Sequence, residues 1–332
     1  MSSIHRSRRK WVTIQIFGGA LLSVLLGALL IKGLAWGEFV TYLKDFPASS
    51  FVLATIVFLA AMVLRAWRWY VLFVHERIGF VRLFLIENAG IGLNNLSPIR
   101  VVSEPLQLAL ITRRGGVSAA TGLATLAMEH IMDVFVTALL LGVGVILLPE
   151  LRAFSIQLAG AIILSVVSLL IFVLIARGMD TIPGAKRFAF LQRAVSATRD
   201  LSQAPFRLFL SFVGSGGYWA FVGLSGWIIA KGLGIEVGAA AVVVLFVGSI
   251  FFVSAVPSLP GGALTFEAAV VYSLSFFHIE GEPALAFALI MHAIMFLPST
   301  FVAVLVLPRE GIKMFGRKDP TVLVDQSGKQ VE

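Results

Sequence analysis

The sequence predicts an all-α, polytopic integral membrane protein, on the strength of its composition, its long apolar blocks and the placement of its basic residues. Apolar residues make up 58% of the 332 positions and charged residues 13%, about half the charged fraction of a soluble domain. The mean hydropathy is +0.96, which is more apolar sequence than one globular core can bury. Lipid is therefore expected to solvate much of the chain, and helices are expected because backbone groups in lipid need hydrogen-bond partners within the segment.

Six apolar blocks are long enough to cross the hydrocarbon layer, which takes about 20 residues. They are 11–31, 47–64, 119–148, 154–175, 208–229 and 284–307. The second block reaches this length only if its helix continues through 65–69, and segment 33–46 is amphipathic.

Four shorter blocks form two adjacent pairs, 81–96 with 101–111 and 238–255 with 264–277. We interpret each pair as a re-entrant hairpin of half-helices, because proline interrupts both; the alternative is that every short block crosses fully. The predicted hairpin breaks contain Asn94, Asn95 and Pro98 in the first pair and Pro260, Gly261 and Gly262 in the second. The fold class is thus about six spanning helices plus two re-entrant hairpins, arranged as an inverted repeat.

The basic residues orient this arrangement. With two hairpins, the outer connections hold only four of the 26 lysines and arginines, namely Lys32, Lys44, Arg152 and Lys231. Because basic loops remain in the cytoplasm, both termini are predicted to be cytoplasmic. The chain then divides into a basic N-terminus 1–10, a membrane domain 11–307 and a tail 308–332 that is expected to be disordered.

One inner loop carries a separate prediction of lipid contact. Lys186, Arg187 and Arg193 surround an apolar helical face, a pattern that favours a helix lying on the anionic inner leaflet. The alternative is a solvated connector.

Ionisable groups inside the apolar blocks are the candidate substrate or translocation residues, since each costs roughly 2.5–3.5 kcal/mol at the bilayer centre. Glu129 and Asp133 are four residues apart and therefore share a helix face. The full candidate set is Arg100, Glu104, Glu129, His130, Asp133 and Glu267. Arg100 and His130 are the expected partners of the carboxylates. The alternative is that these groups are buried polar contacts that only fix helix register.

Other classes of protein lack their signatures here. The absence of cysteine excludes disulfides and thiolate metal sites, and there is no phosphate-binding loop or serine nucleophile motif. Neither a metal nor another cofactor is expected. His292 stands alone in the last apolar block and is interpreted as a core histidine. The net charge of +8 does not indicate nucleic acid, because basic residues of a membrane protein belong to its loops.

Four motifs in order resemble the lysylphosphatidylglycerol synthase transmembrane family, whose members are also called flippase-like domain proteins. They are the Arg-Ala-Trp-Arg-Trp stretch at 65–69, the stretch from Asn94 to Pro105, the Glu-His-Ile-Met-Asp stretch at 129–133 and the stretch from Pro260 to Glu267. Three positions depart from the family pattern: Ser103 and Leu264 replace glycines, and His130 replaces an arginine. Ser103 and Leu264 place side chains where glycine would let other groups approach the backbone of the breaks closely. His130 is titratable, whereas the arginine of the family pattern has a fixed charge.

The resemblance implies a prokaryotic cytoplasmic-membrane protein with re-entrant helices that moves lipid or lipid-linked substrates between leaflets. Its partners would be membrane lipids, anionic or lipid-linked. Relatives that synthesise lysyl-lipid carry a soluble aminoacyl-transferase domain, and no such segment lies in 1–332, so we expect no enzyme activity. The alternative hypothesis is a non-transporting scaffold for a lipid-modifying or glycosyl-transferring enzyme docked at the cytoplasmic face. A third is an intramembrane enzyme that uses Glu129, His130 and Asp133.

Overall fold

The computed structural model describes residues 2–97, 102–114, 116–149, 189–256 and 258–312, with scattered positions between 152 and 174. All regular secondary structure in these residues is helical. The helices are α1 (Ser2–Ile31), α2 (Trp36–Asp45), α3 (Ala48–Tyr70), α4 (Phe80–Leu96), α5 (Ser103–Arg114), α6 (Ala119–Leu147), α7 (Ala189–Ser202), α8 (Pro205–Gly232), α9 (Ala239–Ala255), α10 (Thr265–Ser275) and α11 (Glu282–Arg309). The prediction of an all-α polytopic membrane protein is confirmed.

Four of the described helices, α3, α6, α8 and α11, are long and apolar enough to cross a membrane. α1 adds a fifth span if it is counted with α2, from which it is bent by 92°. These helices correspond to five of the six long apolar blocks, and α3 does continue through residues 65–69. Of the sixth block, 154–175, the structure describes only scattered positions.

The spans begin with local signals that are readable in the sequence. Ser118 caps α6, because its Oγ accepts a hydrogen bond from the Thr121 N–H at 3.0 Å. α8 and α11 each have a proline in the first turn, where the missing N–H costs nothing. The first residue of each of these helices is therefore set by local signals at its N-terminus.

Each short apolar pair consists of two helices separated by an irregular break. In the first pair α4 packs antiparallel to α5, since the Gln107 amide donates to the Glu87 carbonyl at 3.4 Å and lies beside Gly90. In the second pair a 3-10 turn, Pro260–Gly262, separates α9 from α10. The breaks lie where the proline motifs predict them, and residues 98–101 of the first lie outside the described residues.

α11 lies between the two breaks and contacts both. On one side Ser299 donates to Asn88 of α4 at 3.2 Å, and a Cβ on Gly92 would collide with the Ser299 backbone oxygen. Asn95, at the end of α4, donates to the Phe296 carbonyl at 3.3 Å. A Cβ on Gly261 would also lie 3.3 Å from the Asn95 carbonyl oxygen. The break of one hairpin therefore meets the break of the other against the same helix.

Small residues allow α3 and α8 to approach closely in antiparallel orientation. Ser225 donates to the Ala54 carbonyl at 2.9 Å, and a Cβ on Gly214 would lie 2.9 Å from Arg68 Cβ. Such close contacts stabilise the packing of membrane helices, because apolar side chains gain no hydrophobic free energy by moving from lipid into a helix interface. The close approach also places the polar end of α3 beside α8 and α6.

Candidate functional site

A network of charged side chains is buried between α3, α4, α6 and α8. Its centre is Arg68 of α3, whose side chain is only 2% exposed. Arg68 donates through Nη2 to Glu129 Oε1 at 3.0 Å and through Nη1 to Asp133 Oδ1 at 2.5 Å. One guanidinium therefore holds both carboxylates that the i, i+4 spacing on α6 places on one face.

α8 completes the shell around this guanidinium. Ser215 accepts a hydrogen bond from Arg68 Nη1 at 3.2 Å, and Trp219 Nε1 donates to Asp133 Oδ1 at 3.2 Å. The ring of Tyr218 lies 5.3 Å from the Arg68 guanidinium carbon and 5.5 Å from that of Arg65, within cation–π range. These contacts offset the desolvation of two cations.

Arg65 is three residues before Arg68, on the same face of α3, and connects the network to the first hairpin. Its Nε donates to Glu87 Oε1 of α4 at 3.1 Å. The Glu87 side chain is 1% exposed, and within the described part of the chain its Oε2 has no hydrogen-bond partner. With all five groups ionised, two guanidiniums face three carboxylates, so the network has one excess negative charge.

A second ion pair lies at the more open side of α6. His130 Nε2 is 3.6 Å from Glu104 Oε1 of α5, with side chains 58% and 41% exposed. The five-residue stretch 129–133 thus has a closed face directed at Arg68 and an accessible face directed at α5.

A separate polar pair lies at the second break. Glu267 Oε1 of α10 is 2.6 Å from Nδ1 of His292 on α11, and His292 Nε2 is 3.1 Å from the Gly261 carbonyl oxygen. The rings of Phe266 and Phe296 lie 4.8 and 5.8 Å from the imidazole. Glu267 therefore does not join the Arg68 network but joins α10 to the last span, and His292 joins the last span to the turn.

The backbone of this turn has left-handed residues that α1 supports. Gly261 has φ +67° and Leu264 has φ +66°, although leucine rarely adopts this region. Leu264 occupies a position where the motif described above has glycine, and its side chain packs on Gly27 of α1. Ser23 of α1 accepts a hydrogen bond from the Leu259 N–H at 3.0 Å.

The structure brings together some of the predicted site residues and corrects their partners. Arg100 and His130 were the expected partners of the carboxylates; among the described residues His130 lies beside Glu104, whereas the cation that binds Glu129 and Asp133 is Arg68. Because Arg65 and Arg68 end an apolar block, the sequence makes them look like surface charges, and packing against α8 buries Arg68. His292 is also more than a core histidine, since it pairs with Glu267.

Only some of the remaining predicted residues are among those that the structure describes. Arg100 and Pro98 lie outside the described residues, as do Lys186 and Arg187 of the inner loop. Arg193 lies on α7. Asn94 and Asn95 end α4, and Pro260 to Gly262 form the turn before α10. Within the described residues, no three His, Asp or Glu side chains are grouped so that they could hold a metal ion.

A polar cavity of about 220 Å³ opens between α6, α7 and the segment that follows α3. His75, Glu76 and Asp200 line it, and Thr121 donates to Glu76 at 2.7 Å. Thr125, also in its wall, accepts a hydrogen bond from Trp69, the neighbour of Arg68. No local pattern in the sequence indicates this cavity, because its lining residues come from three separate segments.

Comparison with known proteins places this architecture in one family. No curated protein and no solved structure matches the chain. Residues 16–303 match the family model described as the lysylphosphatidylglycerol synthase TM region, which covers both breaks and the whole charged network. The chain therefore belongs to the lysylphosphatidylglycerol synthase transmembrane family.

Proposed function

We propose that this protein moves a phospholipid or a lipid-linked substrate between the leaflets of a prokaryotic cytoplasmic membrane, with both termini on the cytoplasmic side. Membership of a lipid-related membrane family supports a lipid substrate. The absence of a nucleotide-binding motif in the sequence favours movement that is independent of ATP hydrolysis.

The observation that carries the proposal is the buried network of Arg65, Arg68, Glu87, Glu129 and Asp133. Charge inside a membrane protein is costly and commonly lines a substrate or ion path. Fixing helix register takes one buried polar contact, whereas this network joins three helices and has one more carboxylate than guanidinium. A surplus carboxylate suits a passing cationic group or proton.

The two breaks give the network a moving part in this proposal. Irregular backbone at membrane depth is tolerated where it is buried in protein or lines a wet cavity. Here the breaks meet through Asn95 and Gly261, so movement of one hairpin is transmitted to the other. We propose that Glu104 and His130 receive the headgroup at the accessible side of α6, and that Arg100 contacts its phosphate.

The test is transbilayer movement by the purified chain in liposomes. A headgroup-labelled lipid is incorporated in both leaflets, and its protection from an added membrane-impermeant quencher is followed over time. We expect protection to be lost faster than in protein-free liposomes, and the gain in rate to fall at least tenfold in Asp133→Asn. Equal rates with and without protein, for phospholipid and polyprenyl-linked probes alike, would overturn the proposal.

The same assay separates a translocator from the scaffold hypothesis. A triple variant that replaces Lys186, Arg187 and Arg193 by glutamine removes three of the six basic residues between positions 177 and 207. We expect it to retain transbilayer movement, since the proposed path uses the Arg68 network and not the charge of the inner loop. A scaffold would show no movement in the wild-type protein and would lose a partner enzyme in the triple variant.

A further inference from the structure

Glu267 of α10 and His292 of α11 form an ionisable pair inside apolar helices, and the proposed substrate path does not use it. Both side chains are largely buried, at 6% and 15% exposure. His292 is the sole titratable residue of α11 away from its ends, and Glu267 lies in the first turn of α10. Their contact joins α10 to α11, and the second contact of His292 joins α11 to Gly261 in the turn.

The geometry fixes how many protons the pair holds. A carbonyl oxygen only accepts hydrogen bonds, so His292 Nε2 must carry a proton to bind Gly261 at 3.1 Å. The 2.6 Å contact between Nδ1 and Glu267 Oε1 requires a second proton, because otherwise the lone pair of Nδ1 would face a carboxylate. That second proton sits on the imidazole or on the carboxyl group, and in both forms the pair as a whole is neutral.

Loss of that proton must break one of the two contacts. If the remaining proton stays on Nε2, the Gly261 contact survives and Nδ1 repels Glu267. If it moves to Nδ1, the contact with Glu267 survives and the lone pair of Nε2 faces the Gly261 carbonyl. Within the described residues, Glu267 Oε2 has no hydrogen-bond partner, so no neighbour compensates the negative charge that results.

The contact that breaks holds the turn in place. Gly261 has a left-handed backbone conformation, and a Cβ placed on it would meet the Phe296 ring and the Asn95 carbonyl oxygen. Releasing Gly261 or α10 from α11 therefore loosens the point at which the two breaks meet. Proton occupancy of a buried pair is in this way linked to the position of a hairpin.

The helices around this pair carry few other ionisable side chains in the described residues. Residues 17–31 of α1 and the whole of α9 contain no ionisable side chain. On α10 the other titratable residue is Tyr272, 63% exposed, and on α11 Glu282 and Arg309 stand at the two ends. α4 carries Arg82 and Glu87, of which Glu87 pairs with Arg65.

We propose that Glu267 and His292 form a proton-binding pair that couples lipid movement to a proton gradient by holding and releasing the second break. This inference rests on the proposed function. A proton taken up from one side completes both contacts and holds the second break, and its loss to the other side breaks one contact and releases the break.

The experiment imposes a pH difference across proteoliposomes and measures where labelled lipid accumulates. Potassium and valinomycin hold the membrane potential at zero, so that the proton gradient acts alone. At one proton per lipid, a difference of one pH unit should shift the steady-state leaflet ratio about tenfold. In Glu267→Gln the amide donates to Nδ1 and preserves both contacts without a labile proton, so we expect a ratio of one, as in His292→Gln.

Exposed residues that lie between Glu267 and His292 in the sequence supply the controls. Glu280→Gln and His278→Asn make similar chemical changes on exposed residues of the loop before α11 and should keep the wild-type ratio. A wild-type ratio of one, with lipid moving faster than in protein-free liposomes, would overturn the coupling and leave the proposed function intact. A tenfold ratio retained by Glu267→Gln and His292→Gln would assign the coupling to another group. No movement in any liposome would remove the proposed function and the coupling together.

Discussion

Arg68 of α3 and Asp133 of α6 are 65 residues apart in sequence, and their side chains form a direct ion pair at 2.5 Å. The two ends of this pair differ in access. The Arg68 side chain is 2% exposed, whereas that of Asp133 is 27% exposed. Arg68 is therefore the enclosed centre of the network, whereas Asp133 and Arg65, at 27% and 30% exposure, lie at its accessible edge.

Removal of Arg68 should destabilise the protein strongly. Arg68→Ala leaves the buried Glu129 and the partly exposed Asp133 without their guanidinium, and breaking a buried pair in this way costs about 3–5 kcal/mol. Arg68→Lys should recover only part of the loss, because one ammonium lacks the fork that binds two carboxylates at once. The free energy of unfolding in detergent micelles measures both effects.

Lys231→Ala is the matched control for a cation removed from an exposed pair. Lys231 contacts Glu236 at 2.7 Å with side chains 42% and 85% exposed, so its loss should change stability by less than about 1 kcal/mol. Equal losses in Arg68→Ala and Lys231→Ala would contradict the buried network.

Gly92→Ala should separate α4 from α11. A Cβ at this position would collide with the backbone oxygen of Ser299 and with Ala303, and a backbone atom cannot rotate away. Overpacking of this kind costs about 1–3 kcal/mol, and lipid movement should fall because the break at Asn95 shifts with α4. Gly18→Ala on α1 has open space around it and should leave unfolding and movement unchanged; a similar loss there would point to the helix backbone rather than to packing.

The elements that the sequence predicts well are those whose signals are local. Spans are set by the length of apolar blocks, and the breaks by proline and glycine, so α4 ends near Asn95 and the turn falls at Pro260 as expected. The spacing of Glu129 and Asp133 likewise places both on one face of α6. None of these inferences needs a contact between distant segments.

The pairing of charges was the part that local patterns could not supply. Arg68 follows an apolar block and looks like a basic residue at the membrane surface until α8 packs over it. Glu267 and His292 are separated by 25 residues and one loop. A usable signal was present, since two single ionisable residues in adjacent apolar helices each need a partner.

His130→Arg should make the contact with Glu104 independent of pH. The histidine attracts Glu104 only when it is protonated, and both side chains are accessible, so the interaction is worth less than about 1 kcal/mol. A double-mutant cycle with Glu104→Gln, run at about pH 5 and pH 8, separates this term from other titrations. We expect coupling at the lower pH alone for histidine and at both values for arginine; coupling of histidine at both values would contradict the prediction.

Gly27 and Leu264 should show strong coupling, because the space beside one is filled by the other. Leu264 has φ +66°, a conformation that costs roughly 1–2 kcal/mol for a residue with a Cβ. Its side chain lies where a Cβ on Gly27 would fall, with Cδ1 at 2.7 Å. Leu264→Gly relieves the backbone and loses this packing, so the two effects nearly cancel and stability should change little.

Gly27→Ala should then be costly beside Leu264 and nearly neutral in the Leu264→Gly background. Unfolding free energies of the four proteins give the coupling, expected in the range of about 0.5–3 kcal/mol for residues in contact. The same cost of Gly27→Ala in both backgrounds would show that Leu264 does not pack on α1. In that case its left-handed conformation would have to be held by the hydrogen bond from Leu259 to Ser23, and Ser23→Ala would become the destabilising change.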